Sequence, residues 1–398
     1  MTAVYSFSRA ESWLARYHGW LLAALWASVQ ALCWHYYRGP RLFGDGAGYL
    51  SYAQQLVSTH AFAGGYYLRY VGYATYLATL LALGFNLTGI ALVQVGIAGL
   101  ATGAFYRTAW RLSGQHWPTA ALSTAALLCW AEVQAFNAFI LTESLFTSLL
   151  ILSAWAVARA RGAGGVALAG VLLLLTVFVR PNGFIALGAG ALAGLVWLQR
   201  AGWPAHSRWL ALLLLLAPLA WHQLNWLADT LGLMRHYTIG TVICNYAPAC
   251  LTPATALRMP APGQSVLAQL LWFITHNFWY FCQLAALRLA YFMGFPKPWH
   301  SALHIAWLAA TLPALYWLAV RGVARRTAAL PVRTYLAGCL LLQIAIVLVT
   351  FEDWDVRFSG PMIPYWLLLA ALGAQPGLQR LARRWARPVN EPAFPLRN

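Results

Sequence analysis

The chain has 398 residues, 61% of them hydrophobic and only 9% charged, with 21 Trp and 19 Tyr. Soluble domains carry about 25% charged residues, so this composition excludes a soluble protein. The net charge of +17 comes from 25 Arg and one Lys against nine acids. In a water-soluble chain that excess would suggest nucleic acid. On this apolar background it reads as membrane topology, because cationic residues collect in cytoplasmic loops.

A hydrocarbon core of about 30 Å takes about 20 helical residues to cross. In chain order the predicted spans are 19–37, 88–110, 118–137, 140–158, 165–180, 183–199, 208–227, 301–320, 334–350 and 359–375. The expected fold class is therefore all-α: a polytopic membrane helical bundle of about ten crossings forming one domain, residues 1–398. Two further apolar stretches, 69–84 and 266–292, are rich in aromatics and interrupted by Arg or His. The first is read as lying along the outer interface; if both crossed, the bundle would have eleven or twelve spans. The first span is not read as a cleavable signal, being long and lacking a small-residue cleavage site.

With the N-terminus inside, the inner segments hold seventeen of the 26 basic residues and two acids, a balance of +15 against +2 outside. Both termini are then cytoplasmic. Inner loops are short, whereas the outer side receives two sizeable segments, 38–87 and 228–300, and the short EDWDVRF. Function is accordingly expected on the outer face. Cys244 and Cys250 share the second outer segment and read either as a disulfide of an oxidising compartment or as two free thiols.

Acids in or beside a membrane are costly enough to need a reason. Asp45 lies in RLFGDGAGYLSYAQQL, where flanking glycines permit a tight turn into a short helix bearing Tyr49 and Tyr52. It reads as an N-cap, as a chemical group, or as both. Glu132 and Glu143 bracket the outward turn in WAEVQAFNAFILTESLF. Glu143 opens the fourth span, where a helix-terminal carboxylate is the plain alternative, and Glu132 is expected to pair with an Arg or a Gln. Glu352, Asp353 and Asp355 cluster with Arg357, and a solvated loop explains them as well as a site does. Arg69 and Arg180 approach the outer face, either snorkelling or binding phosphate through the guanidinium fork. Arg235, Arg258, Arg288 and Lys297 in the second outer segment are further candidates, and Trp272, Trp279 and Tyr280 read as one aromatic wall suited to a carbohydrate or a lipid chain.

No phosphate-cradling glycine loop supports nucleotide binding, and no nucleophile elbow suggests a covalent hydrolase. His300 and His304 could share a helix face, but without a neighbouring carboxylate in sequence they favour packing over zinc.

Five motifs occur in a recognisable order: GDGAGY at 44–49, RYVGYATYLA at 69–78, LTESLF at 141–146, TVFVRPNG at 176–183 and VRFSGPMIP at 356–364. In this the chain resembles the GT-C class of integral-membrane glycosyltransferases, near the protein mannosyltransferases and the aminoarabinose transferase of lipid A. The resemblance implies a bundle with interfacial helices in the first outer loop. It also implies inverting transfer of a hexosyl or pentosyl unit from a polyprenyl-phosphate carrier to a glycan, lipid or protein acceptor, at the outer face of a bacterial inner membrane. It gives Asp45 the role of general base or metal contact, Glu143 that of its acidic partner or a metal ligand, and Arg69 that of carrier-phosphate binder, with Tyr49, Arg180 and Arg357 completing the substrate-binding set. The class includes members with and without a divalent metal ion, so both stay open. Val71 stands where the family often has Pro, and the soluble outer domain of the larger members is missing. Besides the donor and the acceptor, membrane lipids are the expected partners, and nucleic acid is not.

A separate physical argument points the same way. Nucleotide sugars are not supplied outside the cytoplasm, so a donor there would be lipid-borne, with its anionic head at the interface. The alternative from another class is a transporter or flippase of lipid-linked sugars or other amphiphiles, which also uses intramembrane charge. Against it stand the absence of an inverted repeat and the placing of the acids at helix ends.

Overall fold

A computed structural model of the chain describes residues 5, 6, 9–200, 202, 221, 222, 224–226, 228–261, 263–325, 330–353, 355–385, 387 and 388. The regular structure of the described residues is helical, apart from isolated bridges and a two-residue antiparallel pairing of Tyr5–Ser6 with Arg387–Pro388 that joins the two end segments. Helix α1 is Arg9–Tyr37. The chain then turns back through α2 (Gly46–Thr59), a 3-10 turn at Tyr66–Tyr70, and α3 (Val71–Ala82). Helix α4 (Leu87–Leu112) starts at Asn86, whose side chain accepts a bond from the Gly89 N–H and so satisfies one of the free donors of the first turn. Next come α5 (Trp117–Leu128) and α6 (Ala131–Ala135), the latter running into a 3-10 turn at Phe136–Ala138. Helices α7 (Thr142–Arg159), α8 (Gly162–Val179) and α9 (Phe184–Arg200) follow.

The later part of the chain forms α10 (Leu233–Thr238), α11 (Val266–His276), α12 (Phe278–Phe292), α13 (Ala302–Ala324), α14 (Leu330–Val349) and α15 (Ile363–Trp385).

Among the described residues five helices are long and apolar enough to cross a membrane: α4, α8, α9 with the 3-10 turn Pro181–Gly183 before it, α13 and α14. A sixth span arises if α5 and α6, bent by 62°, form one broken crossing. These helices leave much apolar surface uncovered. Helix α8 exposes Val171, Leu174 and Phe178, and a helix that is apolar all round belongs in lipid or in a core. The chain therefore has the make-up of a multi-pass membrane protein.

Predicted spans 19–37, 140–158 and 359–375 fall in α1, α7 and α15, which have the length to cross but carry more polar residues. In α7 these are Thr142, Glu143, Ser144, Thr147, Ser148 and Ser153, all buried, because α7 packs between α4 and α8. Most of the predicted span 208–227 lies outside the described residues. Helix α3 has 12 residues, and α11 and α12 have 11 and 15 with a break at Asn277. At 1.5 Å per residue these reach roughly 18, 16 and 22 Å, each too short for a crossing.

Helices α13 and α15 touch backbone to backbone. A Cβ added to Gly322 would meet the Leu369 carbonyl oxygen at 1.9 Å, and one added to Gly373 would meet that of Leu318 at 1.9 Å. Such close approach is how helices gain van der Waals contact where lipid removes the hydrophobic drive.

A second, smaller core is built within the 228–300 segment around Tyr237, Phe273 and Leu284, with Phe351. Arg288 lies at its heart, fully buried, donating to the carbonyls of Thr241, Leu348 and Val349 at 2.9–3.2 Å. A cation on the last carbonyls of α14 complements the helix dipole, so this candidate binding residue is a structural clamp. Cys244 and Cys250 are free thiols. The expected aromatic wall does not form: Trp272 stacks on His276, Trp279 is exposed, and Tyr280 is buried with its hydroxyl on the Tyr237 and Leu251 carbonyls.

Replacing Gly373 by Val forces a side chain into the α15–α13 contact. The expected cost is about 1–3 kcal/mol, the range for overpacking, read as a lower midpoint of thermal unfolding in detergent. The same change at Gly170, whose Cβ would meet nothing within 4 Å, should leave the midpoint nearly unmoved.

Candidate functional site

Four separated segments place charged side chains at one end of the bundle. Arg41 and Phe139 form a parallel bridge, with Arg41 N–H bonded to the Ala138 carbonyl and Ile140 N–H to that of Arg41. This clips the start of α2 against the approach to α7. The glycines of GDGAGY serve that contact. A Cβ on Gly46 would meet the Ile140 carbonyl at 2.7 Å, and one on Gly48 would sit 1.8 Å from the Tyr67 hydroxyl. Asp45 is the residue preceding α2, but its side chain makes no capping bond. It turns instead to Arg357, whose Nη1 lies 3.2 Å from Asp45 Oδ2.

Glu143 is completely buried in the first turn of α7. Its Oε1 accepts from Arg180 Nη1 at 3.0 Å and from Arg357 Nε, while Oε2 accepts from the Thr142 hydroxyl at 3.2 Å. Arg180, at the end of α8, also donates to the Arg357 carbonyl at 3.3 Å and lies between the rings of Phe146 and Phe358. Arg357 thus bridges the two acids, and two carboxylates meet two guanidiniums. Burial alone would lower the pKa of Arg357, but the charges of Glu143 and Asp355 raise it above the ordinary value. The residue before it, Val356, has φ +60°. A β-branched side chain in that region is strained, a feature that concentrates at functional sites.

Tyr49 stands beside this cluster. Its ring is fully buried and meets those of Tyr67, Tyr70 and Tyr73 edge to face, and its hydroxyl has no hydrogen-bond partner among the described residues. Arg69 makes no contact with either acid. Its guanidinium lies 5.1 Å from the Tyr66 ring and 5.0 Å from that of Trp226, beside a shallow hollow lined by Gly65, Tyr66 and Leu68. The site residues therefore split into a tight quartet, Asp45, Glu143, Arg180 and Arg357, and an aromatic flank holding Tyr49 and Arg69.

The EDWDVRF acids are not a solvated loop. Glu352 is fully buried and pairs with Lys297 Nζ at 3.4 Å, while its backbone bonds with Val242 and Cys244. Burial pushes the Glu352 carboxyl up to about 7, with Lys297 opposing. Asp355 is pushed up as well, by burial and by its neighbour Asp353. Glu132 pairs with neither an Arg nor a Gln: it accepts from Trp130 Nε1 at 3.2 Å and lies 3.0 Å from His304 Nε2. His304 stacks on His300 at 4.1 Å, and burial lowers the pKa of His300 to about 4. Among the described residues no group of three or more His, Cys, Asp or Glu is placed to hold a metal ion. Between Asp45 and Glu143, where an ion would sit, lies the guanidinium of Arg357. This donor set suits an arginine and not a divalent ion.

A buried amide network supports the quartet from behind. Gln30 of α1 donates to Gln134 at 2.8 Å, Asn137 donates back to Gln30 at 3.2 Å, and Ser144, next to Glu143, donates to Asn137 at 2.7 Å. Gln94 ties in α4 by donating to the Phe139 carbonyl at 2.9 Å. Sequence reasoning passed over these amides. Their signal was present, since a polar amide within an apolar span needs a partner inside the protein.

Breaking a buried ion pair by removing one partner costs about 3–5 kcal/mol. Arg357→Ala leaves Glu143 with one cation and Asp45 with none, and is expected to destabilise by that order in detergent unfolding. Asp45→Asn, a third exposed, should cost under about 1 kcal/mol. Glu352 supplies a pH test. Its folded pKa of about 7 lies above the ordinary 4.5, so the fold favours the protonated acid. Its contribution is full below pH 4.5 and lost as pH rises through about 7, and a stability profile over that window should flatten in Glu352→Gln.

Comparison of the chain with models of known protein families, with curated protein sequences and with solved structures finds no match.

Proposed function

We propose that the protein is a GT-C-like glycosyltransferase that moves a sugar from a polyprenyl-phosphate carrier to an acceptor hydroxyl at the outer face of a bacterial inner membrane. The observation that carries this reading is the convergence of Asp45, Glu143, Arg180 and Arg357, each from a different one of the five ordered motifs, on one end of an apolar helical bundle. Residues scattered by chance over more than 300 positions would not meet in one hydrogen-bonded cluster. The remaining motif, at 69–78, supplies Arg69, which lies against the Tyr66 and Trp226 rings alongside.

Topology fits the same reading. Helices α1, α7 and α15 have the length to join the apolar helices as crossings, and the pairing of Tyr5–Ser6 with Arg387–Pro388 brings the two end segments together. Arg107, Arg111, Arg159, Arg161 and Arg200 collect at the ends of α4, α7, α8 and α9 remote from the quartet. By the positive-inside rule that end is cytoplasmic and the acidic site faces outward.

In this mechanism the acceptor oxygen attacks the anomeric carbon as its proton passes to Asp45. The bond from that carbon to the phosphate oxygen breaks, with inversion, and polyprenyl phosphate leaves. Asp45 is the acid with access to solvent, its side chain 34% exposed against 0% for Glu143. Glu143, locked by two guanidiniums and Thr142, acts as a positioning residue that fixes Arg357 and through it Asp45. Charge growing on the leaving phosphate is met by cations already in place. Arg69, held against Tyr66 and Trp226, supplies one without drawing on the quartet.

The test is transfer from synthetic polyprenyl-phosphate sugars by the purified protein, with the anomeric configuration of the product determined. Removal of a general base typically costs 10²–10⁴-fold, so Asp45→Asn should lower turnover by about that factor while its folded state persists. Full activity in Asp45→Asn would remove Asp45 from the chemistry. If no donor were consumed from a broad panel, while labelled lipid-linked sugar crossed proteoliposomes containing the protein, the transport alternative would replace this reading.

A further inference from the structure

At the end of the bundle remote from the quartet, a trough of about 870 Å³ runs between α8 and α9. Its floor is made of small residues, among them Ala169 and Gly170 of α8 and Gly190, Ala193 and Gly194 of α9. A Cβ on Gly170 or Gly194 would meet nothing within 4 Å, so the space is open. Its mouth carries Arg111, Arg161 and Arg200. A neighbouring hollow of about 1060 Å³ shares Arg111 and Arg161 and adds Arg107 and Arg159, with Trp110, Trp117 and Trp155 around them. Neither hollow has an acid in its lining, and among the described residues none of these five arginines forms an ion pair with a carboxylate. Arg159 is held only over the Trp155 ring, at 4.6 Å.

Five like charges gathered without a carboxylate partner among the described residues repel one another and call for an anion. A small soluble anion would satisfy the arginines but leave the apolar trough bare. A peptide would need its backbone donors and acceptors met, and the trough walls are helices whose own backbones are already bonded. The trough opens along α8 beside the exposed Val166, so an acyl chain can enter from the bilayer. We infer that this is a binding site for one anionic diacyl phospholipid, with an acyl chain in the α8–α9 trough and the phosphodiester on Arg111, Arg161 and Arg200. The guanidinium fork matches phosphate oxygens, and basic pockets between membrane helices are suited to anionic headgroups. The site lies at the opposite end of α8 from Arg180, about 27 Å along an 18-residue helix, and does not depend on the reaction proposed for the quartet.

The experiment is native mass spectrometry of the delipidated protein in neutral detergent, titrated with dioleoyl-phosphatidylglycerol or dioleoyl-phosphatidylcholine. One phosphatidylglycerol should be retained, with a preference over phosphatidylcholine of roughly ten-fold or more. Arg161→Gln with Arg200→Gln, both exposed positions, should abolish that preference, and lysine at both positions should restore most of it. Gly170→Phe, which fills the trough and leaves the arginines untouched, should lower retention at unchanged headgroup preference. Gel filtration and the thermal midpoint confirm that each variant is folded. The inference is overturned if the preference survives the double glutamine variant, if glycerol phosphate at equal concentration displaces the lipid, if polyprenyl phosphate is retained in its place, or if Gly170→Phe changes nothing.

Discussion

Placing charge inside an apolar bundle is costly unless each charge finds an opposite one, and here that constraint is met at Arg357. Its guanidinium takes Glu143 on Nε and Asp45 on Nη1, while its carbonyl receives Arg180. The helix ends that carry these residues must therefore lie side by side, whatever the rest of the chain does. The bridge between Arg41 and Phe139, the close approach of Gly46 to Ile140, and the positive φ of Val356 all serve to keep the four side chains in reach.

The two carboxylates differ in role because their surroundings differ. Glu143 has both oxygens engaged and no access to water, which suits a fixed point of the scaffold. Asp45 shares a single guanidinium nitrogen and reaches the surface, which suits exchange of a proton with a bound molecule. Behind them, Gln30, Gln134, Asn137 and Ser144 form a continuous amide and hydroxyl network linking α1, the turn before α7 and α7 itself. Hydrogen bonds in this setting have no competing water, so the network fixes the orientation of the helix that carries Glu143.

Charge is sorted along the bundle as well as paired within it. Acids and their partners gather at one end, while arginines that pair with no carboxylate among the described residues gather at the other beside Trp110, Trp117 and Trp155. The first end can be read as chemistry because its charges balance. The second is read as a lipid contact because its charges do not. Small residues take part at both levels: Gly322 and Gly373 draw two helices into contact, whereas Gly170 and Gly194 leave a space that no described residue fills.

Helical membrane architecture, the helix ends that carry acids, and the motif residues of the candidate site were legible in the sequence, because hydropathy, charge sorting and residue order are local properties of a chain. Partners were not legible. That Arg357 would reach past Asp355 to both Asp45 and Glu143, that Lys297 would bury itself against Glu352, and that Glu132 would meet His304 depend on contacts between positions 55 to 312 residues apart. Arg288 and Arg180 looked alike as arginines near apolar stretches, yet one clamps backbone carbonyls and the other joins the charged quartet. Composition determined that these charges would be few and confined to helix ends. Only the packing of the helices decided which opposite charge or carbonyl each would find, since in an apolar interior a side chain takes whatever polar partner the fold brings within about 3 Å.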